Sequence, residues 1–375
     1  MFFRPLARIM LDVNERIEMG YIKLAEEKLS SYINVKHSLL TSMGRTALVI
    51  GLKSLGVGPG DQVIMPSFAC NIVVKAIEFC GAKPIFADVD LGTYNVDPKE
   101  IENKITKNTK AVLVIHCYGQ PADMTEITEI AESNDVPIIE DAAHAFGADY
   151  HGRKVGSFGQ FCIFSFSKNM GCSSGGGLST NSDDLILRAT EVLKDLYASE
   201  NELIRVGHSV KQMLLAFGSK KRAWLSSLRM LGIATKVADS AADSIPKLFS
   251  ADDKIASEVI RGLREVDGKN EDRIRRARVL TELIKDLKID DVKVPLERED
   301  RTHVYYLYGL KVNERKKILG SLRRIEKYIP WSLPWLCSYG PKAKHLAEHL
   351  VLFEMNSPLD DERLHLIASA LAHAS

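Results

Sequence analysis

No apolar run in this sequence approaches the ~18 residues of a membrane-spanning helix, so no spanning segment is expected. The opening MFFRPLARIMLDVNER has a short apolar patch but no long apolar core with a small-residue cleavage site. No secretory leader is expected, and the reading is cytoplasmic. The six cysteines (Cys70, Cys80, Cys117, Cys162, Cys172, Cys337) form no C-x-x-C pair and no disulfide-like spacing. Excess charge is missing too: 50 Lys plus Arg face 49 Asp plus Glu, a net charge of +1. Nothing global points to nucleic acid. No G-x-G-x-x-G follows a strand-like run, GVGPGD (56–61) has the wrong spacing, and no Walker-type phosphate loop occurs. A nucleotide-binding dehydrogenase or P-loop enzyme is thereby disfavoured. No internal repeat or low-complexity tract appears.

What remains is an ordinary globular composition, 45% hydrophobic and 26% charged. A length of 375 residues is enough for two or three domains. Strand-like and helix-like runs alternate through the first half. HSLLTSM (37–43) precedes a helical GRTALVIGLKSL, and QVIMPS (62–67) precedes NIVVKAIEFC. KPIFADVD (83–90) precedes PKEIENKI, and AVLVIHCY (111–118) precedes TEITEIAESN. PIIEDAA (137–143) closes the series. This alternation predicts parallel βαβ units. FCIFSFS (161–167) and GGGLSTN (175–181) read as strands around a glycine-rich turn. Function is expected at the carboxyl ends of the strands, where helix N-termini converge.

From about residue 183 the pattern is helical. Between Leu203 and Ala238 stand seven basic residues (Arg205, Lys211, Lys220, Lys221, Arg222, Arg229, Lys236) and no acidic one. Three readings of this stretch stay open: cations for a substrate diphosphate, a membrane-surface helix, or a solvated helical pair. The last third mixes helix and strand and reads as a smaller α+β domain. The expected division is an N-terminal arm and large domain over 1–200, a basic and apolar helical segment over 201–268, and a small domain over 269–375.

Nine blocks stand in register: GRTAL (44–48), PSF (66–68), GAKPIFADVD (81–90), YNVDP (94–98), HCYGQPADM (116–124), IIEDAAHAFGA (138–148), GRKVGSFG (152–159), FSFSKN (164–169) and GGGLSTN (175–181). Together they resemble the DegT/DnrJ/EryC1/StrS family of pyridoxal-phosphate-dependent sugar aminotransferases. The likeness covers roughly residues 20–200. It implies fold type I: an α/β large domain with a mostly parallel central sheet, plus a smaller C-terminal α+β domain. It also implies pyridoxal 5'-phosphate as cofactor.

The resemblance makes Lys168 the Schiff-base lysine, which also moves protons at the substrate carbon. Lysine suits the task because burial lowers its pKa readily. It makes Asp141 the partner of the pyridine nitrogen; the rival reading of Asp141 is a helix cap after the strand. His144 would contact the cofactor near its ring hydroxyl, or serve as a packed core histidine. Gly44, Arg45 and Thr46 open a helix directly after a strand, where free N–H groups and the dipole favour a phosphate. Arg45 stands where the family often has threonine, and Ser165 resembles its second phosphate-side hydroxyl.

Four features depart from the family pattern. Cys70 occupies the position of the aromatic residue that stacks on the cofactor ring. The step from Ser165 to Lys168 is two residues shorter than usual. Ser174 replaces a frequent glutamate. The N-Y-R-M-type segment that helps complete the neighbouring subunit's site is missing, and the basic stretch lies there instead.

The expected activity moves an amino group, with glutamate as the expected donor, to a keto sugar linked to a nucleotide, as in polysaccharide or lipopolysaccharide biosynthesis. The expected assembly is a homodimer, and no metal is expected. A catalytically degenerate homologue or regulator is the alternative. Sugar dehydratases of the same family typically carry histidine at the lysine position, which Lys168 disfavours. A remoter rival is a zinc peptidase, since His345-Leu-Ala-Glu348-His349 matches H-x-x-E-H.

Overall fold

The computed structural model describes residues 20–198, 251–289, 291–322, 336–355 and 359–374. Helix α1 (Tyr21–Ile33) leads into strand β1 (His37–Thr41) and helix α2 (Gly44–Ser54). Strand β2 (Gln62–Pro66), short strand β3 (Phe68–Cys70), helix α3 (Asn71–Phe79) and strand β4 (Lys83–Ala87) follow. Helix α4 (Pro98–Glu102), strand β5 (Thr109–Ile115), helix α5 (Met124–Ser133) and strand β6 (Ile138–Asp141) complete the alternation. A small hairpin of β7 (Asp149–Tyr150) and β8 (Arg153–Lys154) precedes strand β9 (Phe161–Ser165). Then come helix α6 (Phe166–Asn169), strand β10 (Gly176–Thr180) and helix α7 (Asp183–Ala198).

Seven strands form the central sheet in the order β1-β10-β9-β6-β5-β2-β4. Every neighbouring pair from β9 to β4 is parallel. Strand β10 is antiparallel to both β9 and β1, so it alone runs against the rest. Residues alternate between two apolar faces, as the period of a strand demands. Val63, Met65, Ala111 and Leu113 join a core with α2, α3 and α7. Ile64, Val112 and Val114 join another with α4 and α5. Because both faces are covered, these strands are nearly continuous in apolar residues, which is the signal the sequence showed.

Helix α8 (Asp253–Asp286) is the longest described element. The Asp252 carboxylate caps it by accepting from the Ile255 N–H at 2.8 Å. Its first half (Ile255, Ala256, Val259, Ile260, Val266) packs with α1 and the large sheet. Its second half (Ala277, Leu280, Ile284) enters a separate core around a three-stranded sheet. That sheet comprises β11 (Val292–Lys293), β12 (Leu307–Val312) and β14 (Leu350–Glu354), in this order. Between its strands lie helix α9 (Arg315–Leu322), strand β13 (Leu336–Ser338) and helix α10 (Pro341–His349), and helix α11 (Asp361–Ala374) ends the chain. One helix thus runs unbroken across the boundary expected at 268–269. The basic stretch 203–238 lies outside the described residues.

Two contacts tie the parts near the site. Strand β13 pairs antiparallel with β3, setting Leu336 opposite Cys70. Asp88, just past β4, receives the N–H groups of Lys342 and Ala343 at the start of α10. The Ser67 hydroxyl and the Val89 N–H also donate to it. Strand β10 passes so close to the start of α2 that a Cβ on Gly176 would lie 2.2 Å from the Met43 carbonyl carbon.

Candidate active site

The residues singled out in the sequence follow the carboxyl ends of successive strands. Gly44, Arg45 and Thr46 follow β1, Cys70 ends β3, Asp141 ends β6, and Ser165 ends β9. In open α/β sheets this edge is where ligands bind. Lys168 lies in α6, a helical turn that starts directly after Ser165. The sequence pattern had extended the strand through Ser167. Apolar and polar residues alternate in F-S-F-S, but pairing with β10 begins at Ser165 opposite Gly176, and the chain coils from Phe166 onward.

Lys168, Asp141, His144 and Cys70 come together. The Lys168 Nζ lies 2.9 Å from His144 Nε2. Burial lowers the Lys168 pKa, while Asp141, Cys70 and Cys117 act on it in the opposite direction. The residue keeps some accessible surface, but its amine end is surrounded by protein groups. Burial also pushes the Asp141 carboxyl up, against the pull of Lys168, of the Ala143 N–H and of His116. Asp141 accepts that N–H at 2.9 Å. His144 is driven well down by burial and then by Lys168, so its ring is neutral. Nε2 faces the amine, and Nδ1 has no hydrogen-bond partner among the described residues. The arrangement holds a neutral imidazole, a desolvated amine and a desolvated carboxylate in one place.

Gly44 and Ser165 form a second group. A Cβ on Gly44 would lie 3.0 Å from the Phe164 carbonyl oxygen and 3.2 Å from Ser165 Cβ, so helix α2 begins against the end of β9. Its N-cap residue, Met43, makes no side-chain capping hydrogen bond. Thr46 is fully buried, and its hydroxyl lies 3.4 Å from Ser42 Oγ. Arg45 is half-buried on the first turn. Ser165 opens the turn that carries Lys168, so the two groups share one strand end.

Several residues of this region escaped the sequence reading. The Tyr306 ring stacks on His144 at 4.8 Å between centroids. Tyr118 has a left-handed backbone, φ 57°, and its buried hydroxyl has no partner among the described residues. Beneath Asp141, Glu140 is wholly buried. It accepts the N–H groups of Gly156, Phe158 and Gly159 and faces His116 Nε2 at 3.2 Å. The Ala122 N–H donates to His116 Nδ1, so Nε2 carries the proton toward Glu140. The IIED run was legible as a strand, but nothing in it marked Glu140 as a buried anchor.

Among the described residues, no three His, Cys, Asp or Glu side chains gather as a metal site. The His345 and His349 rings stack 4.1 Å apart, and His349 Nδ1 donates to the His345 carbonyl. No described helix is long and apolar enough to cross a membrane.

Known proteins share the fold and the family of this chain. A "Pleiotropic regulatory protein" of Geobacillus stearothermophilus is 29% identical over 367 residues, 94% of this chain and 88% of that one. A dTDP-3-amino-3,6-dideoxy-alpha-D-galactopyranose transaminase of Aneurinibacillus thermoaerophilus is 30% identical over 81% of this chain and 75% of its own length. A DegT DnrJ EryC1 StrS aminotransferase from Brucella abortus shares the fold with a TM-score of 0.74 at 22% identity, covering 97% of this chain and 95% of that one. Residues 8–328 match the sequence profile of one family, and the chain belongs to it: the DegT/DnrJ/EryC1/StrS aminotransferase family.

Proposed function

We propose that this protein is a pyridoxal-phosphate-dependent aminotransferase that passes an amino group from an amino acid, glutamate by preference, to a keto sugar carried on a nucleotide. The carrying observation is the meeting of the Lys168 amine and the His144 imidazole at 2.9 Å beside the buried Asp141 carboxylate. The Aneurinibacillus relative, named as a transaminase of a dTDP-linked amino sugar, supports the substrate class.

The residues fit the cofactor. Asp141 is a desolvated carboxylate whose raised pKa calls for a cationic partner, and a protonated pyridine nitrogen is one. When His144 Nδ1 carries the ring proton, it can donate to an oxygen such as a ring hydroxyl. The start of α2, with Gly44, Arg45 and Thr46, and the neighbouring Ser165 suit a phosphate. When bound, pyridoxal phosphate supplies an electron-accepting ring for bonds broken at the substrate carbon.

The chain's own groups do the rest. Lys168, whose pKa burial lowers, would take up a proton at Nζ and return it more readily than a solvated lysine. Asp141 would hold the ring cation. His144 stays neutral and keeps the amine oriented. By the family resemblance, Cys70 stands at the position of a stacking aromatic residue. The Tyr306–His144 stack supplies an aromatic wall from the small domain instead. We read the chain as two domains that share α8, with this site on the large one.

The test is borohydride reduction of the purified protein with pyridoxal phosphate, followed by peptide mapping and an amino-donor half-reaction assay. Label on Lys168 together with consumption of glutamate supports the reading, and label on another lysine contradicts it. A regulator that keeps the cofactor is the second reading, favoured by the name of the Geobacillus relative. It expects label on Lys168 and no turnover of any donor.

A further inference from the structure

We propose that Asn270 and Arg273 are positioning residues for the reaction at Lys168, bracing the turn that carries the lysine against the loop that carries His144. This rests on the functional reading above.

The two residues stand three apart on α8, and so on one face of that helix. Both are buried, 5% and 1% exposed. Arg273 Nη2 donates to the Asn169 carbonyl at 3.1 Å and to Asn270 Oδ1 at 2.7 Å. Asn270 Nδ2 donates to the Phe146 carbonyl at 3.1 Å. Asn169 Nδ2 donates to the His144 carbonyl at 3.0 Å. These bonds close a ring from helix α8 to the residue after Lys168, on to His144 and Phe146, and back to α8. The loop is pressed onto the brace. Gly147 has φ +87°, and a Cβ there would lie 2.5 Å from Asn270 Nδ2.

The brace governs what His144 cannot govern itself. Among the described residues, only Nε2 of the two ring nitrogens has a partner, and that partner is Lys168. The orientation of the imidazole therefore depends on where its main chain is held and on the Tyr306 ring stacked against it. Arg273 also lies within electrostatic reach of the Tyr306 hydroxyl. Packing alone does not call for these side chains. A buried guanidinium is costly, as the lowering of Arg273 to about 10 by burial shows, and apolar residues of similar volume would fill the space more cheaply.

The groups facing the Lys168 amine are Asp141 from β6, His144 from the loop after it, Cys70 from β3 and Cys117 from the turn after β5. None belongs to α8. The brace thus acts through geometry, by keeping the amine in its dry pocket.

The experiment uses the full chain with pyridoxal phosphate as the probe. Borohydride trapping on Lys168 is measured across a pH series for the parent and for Asn270→Ala, Arg273→Met and Asn169→Ala. The last keeps the Arg273 bond to the main chain and is the mildest. A loosened pocket admits water, so the trapping midpoint moves up by about one pH unit. In turnover, kcat falls while KM for the amino donor holds, and Arg273→Lys recovers part of both the midpoint and the rate. Folded variants that trap at the parent's midpoint overturn the proposal. So does a loss of melting temperature and kcat with the midpoint unmoved. A parent that takes no label on Lys168 overturns the functional reading itself, and this inference with it.

Discussion

The Lys168 amine and the His144 imidazole meet at 2.9 Å, and burial disfavours the charged form of each. Neither group can hold a proton cheaply while the other does, because two cations this close in a desolvated site repel strongly. Double protonation of the pair is therefore disfavoured, which suits the proposed role of the amine in taking up and releasing a proton. Replacing His144 by Leu leaves the amine without its acceptor. The expected loss in kcat is about a hundredfold, and His144→Gln, which keeps an acceptor, should lose less. Steady-state rates of the two variants, compared at one pH, check this.

Lys168 also weakens the cofactor-free protein. Its folded pKa lies below the ordinary 10.5. Between the folded value and 10.5 the unfolded chain binds a proton that the folded site releases, so stability rises with pH across that window. The penalty is full below the folded value and gone above 10.5. Lys168→Met removes the amine and keeps the apolar stem. The cofactor-free variant should exceed the parent in unfolding free energy by about 1 kcal/mol near neutral pH. The gain should shrink as pH approaches 10.5. Paired urea titrations at several pH values read the difference. A gain that grows with pH contradicts the assignment.

Asp88 joins the large sheet to the small domain. Burial raises its carboxyl, but the Lys342 N–H, the Ser67 hydroxyl and the Val89 and Ala343 N–H groups together bring it below the ordinary 3.8. The stability it contributes is fully present above 3.8 and is lost as pH falls through the lower folded value. Asp88→Ala frees the start of α10 and should cost about 1–3 kcal/mol. Gly340, whose Cβ would lie 2.5 Å from the Asp88 carboxyl carbon, should become more open to proteases. Limited proteolysis with mass mapping detects the new cut.

Glu140 holds the chain on the far side of Asp141. Truncating it to Ala leaves the N–H groups of Gly156, Phe158 and Gly159 and the His116 Nε2–H unsatisfied in a dry interior. The expected cost is about 3–5 kcal/mol. Glu140→Gln keeps the acceptor oxygen and should cost less. Chemical denaturation of both variants ranks them, and equal costs would mean that the carboxylate is not the anchor.

The candidate positions were marked by the family resemblance, and each lies at or soon after the end of a strand that reads clearly. AVLVI and FCIFS are nearly continuous apolar runs and PIIED is a buried one ending in two carboxylates, and Asp141 and Lys168 stand at or just past strand ends. The turn carrying Lys168 was less legible, since the F-S-F-S alternation imitates a strand. Asn270, Arg273 and Tyr306 were not legible at all. On an isolated helix, polar residues three apart read as a solvated face. Only the approach of residues 144–147 and 169 turns that face inward.

The amino-acid order by itself determined the mostly parallel sheet and set Asp141 and Lys168 at or just past strand ends, because local hydrophobic periodicity is written within short segments; the expected roles of those two residues came from the family resemblance. Tertiary structure alone decided how these residues meet: the 2.9 Å contact of Lys168 with His144, the buried partners of Glu140, and the brace from α8. Those relations join positions 16 to 124 residues apart. Burial and desolvation there arise only when the whole chain has closed around them.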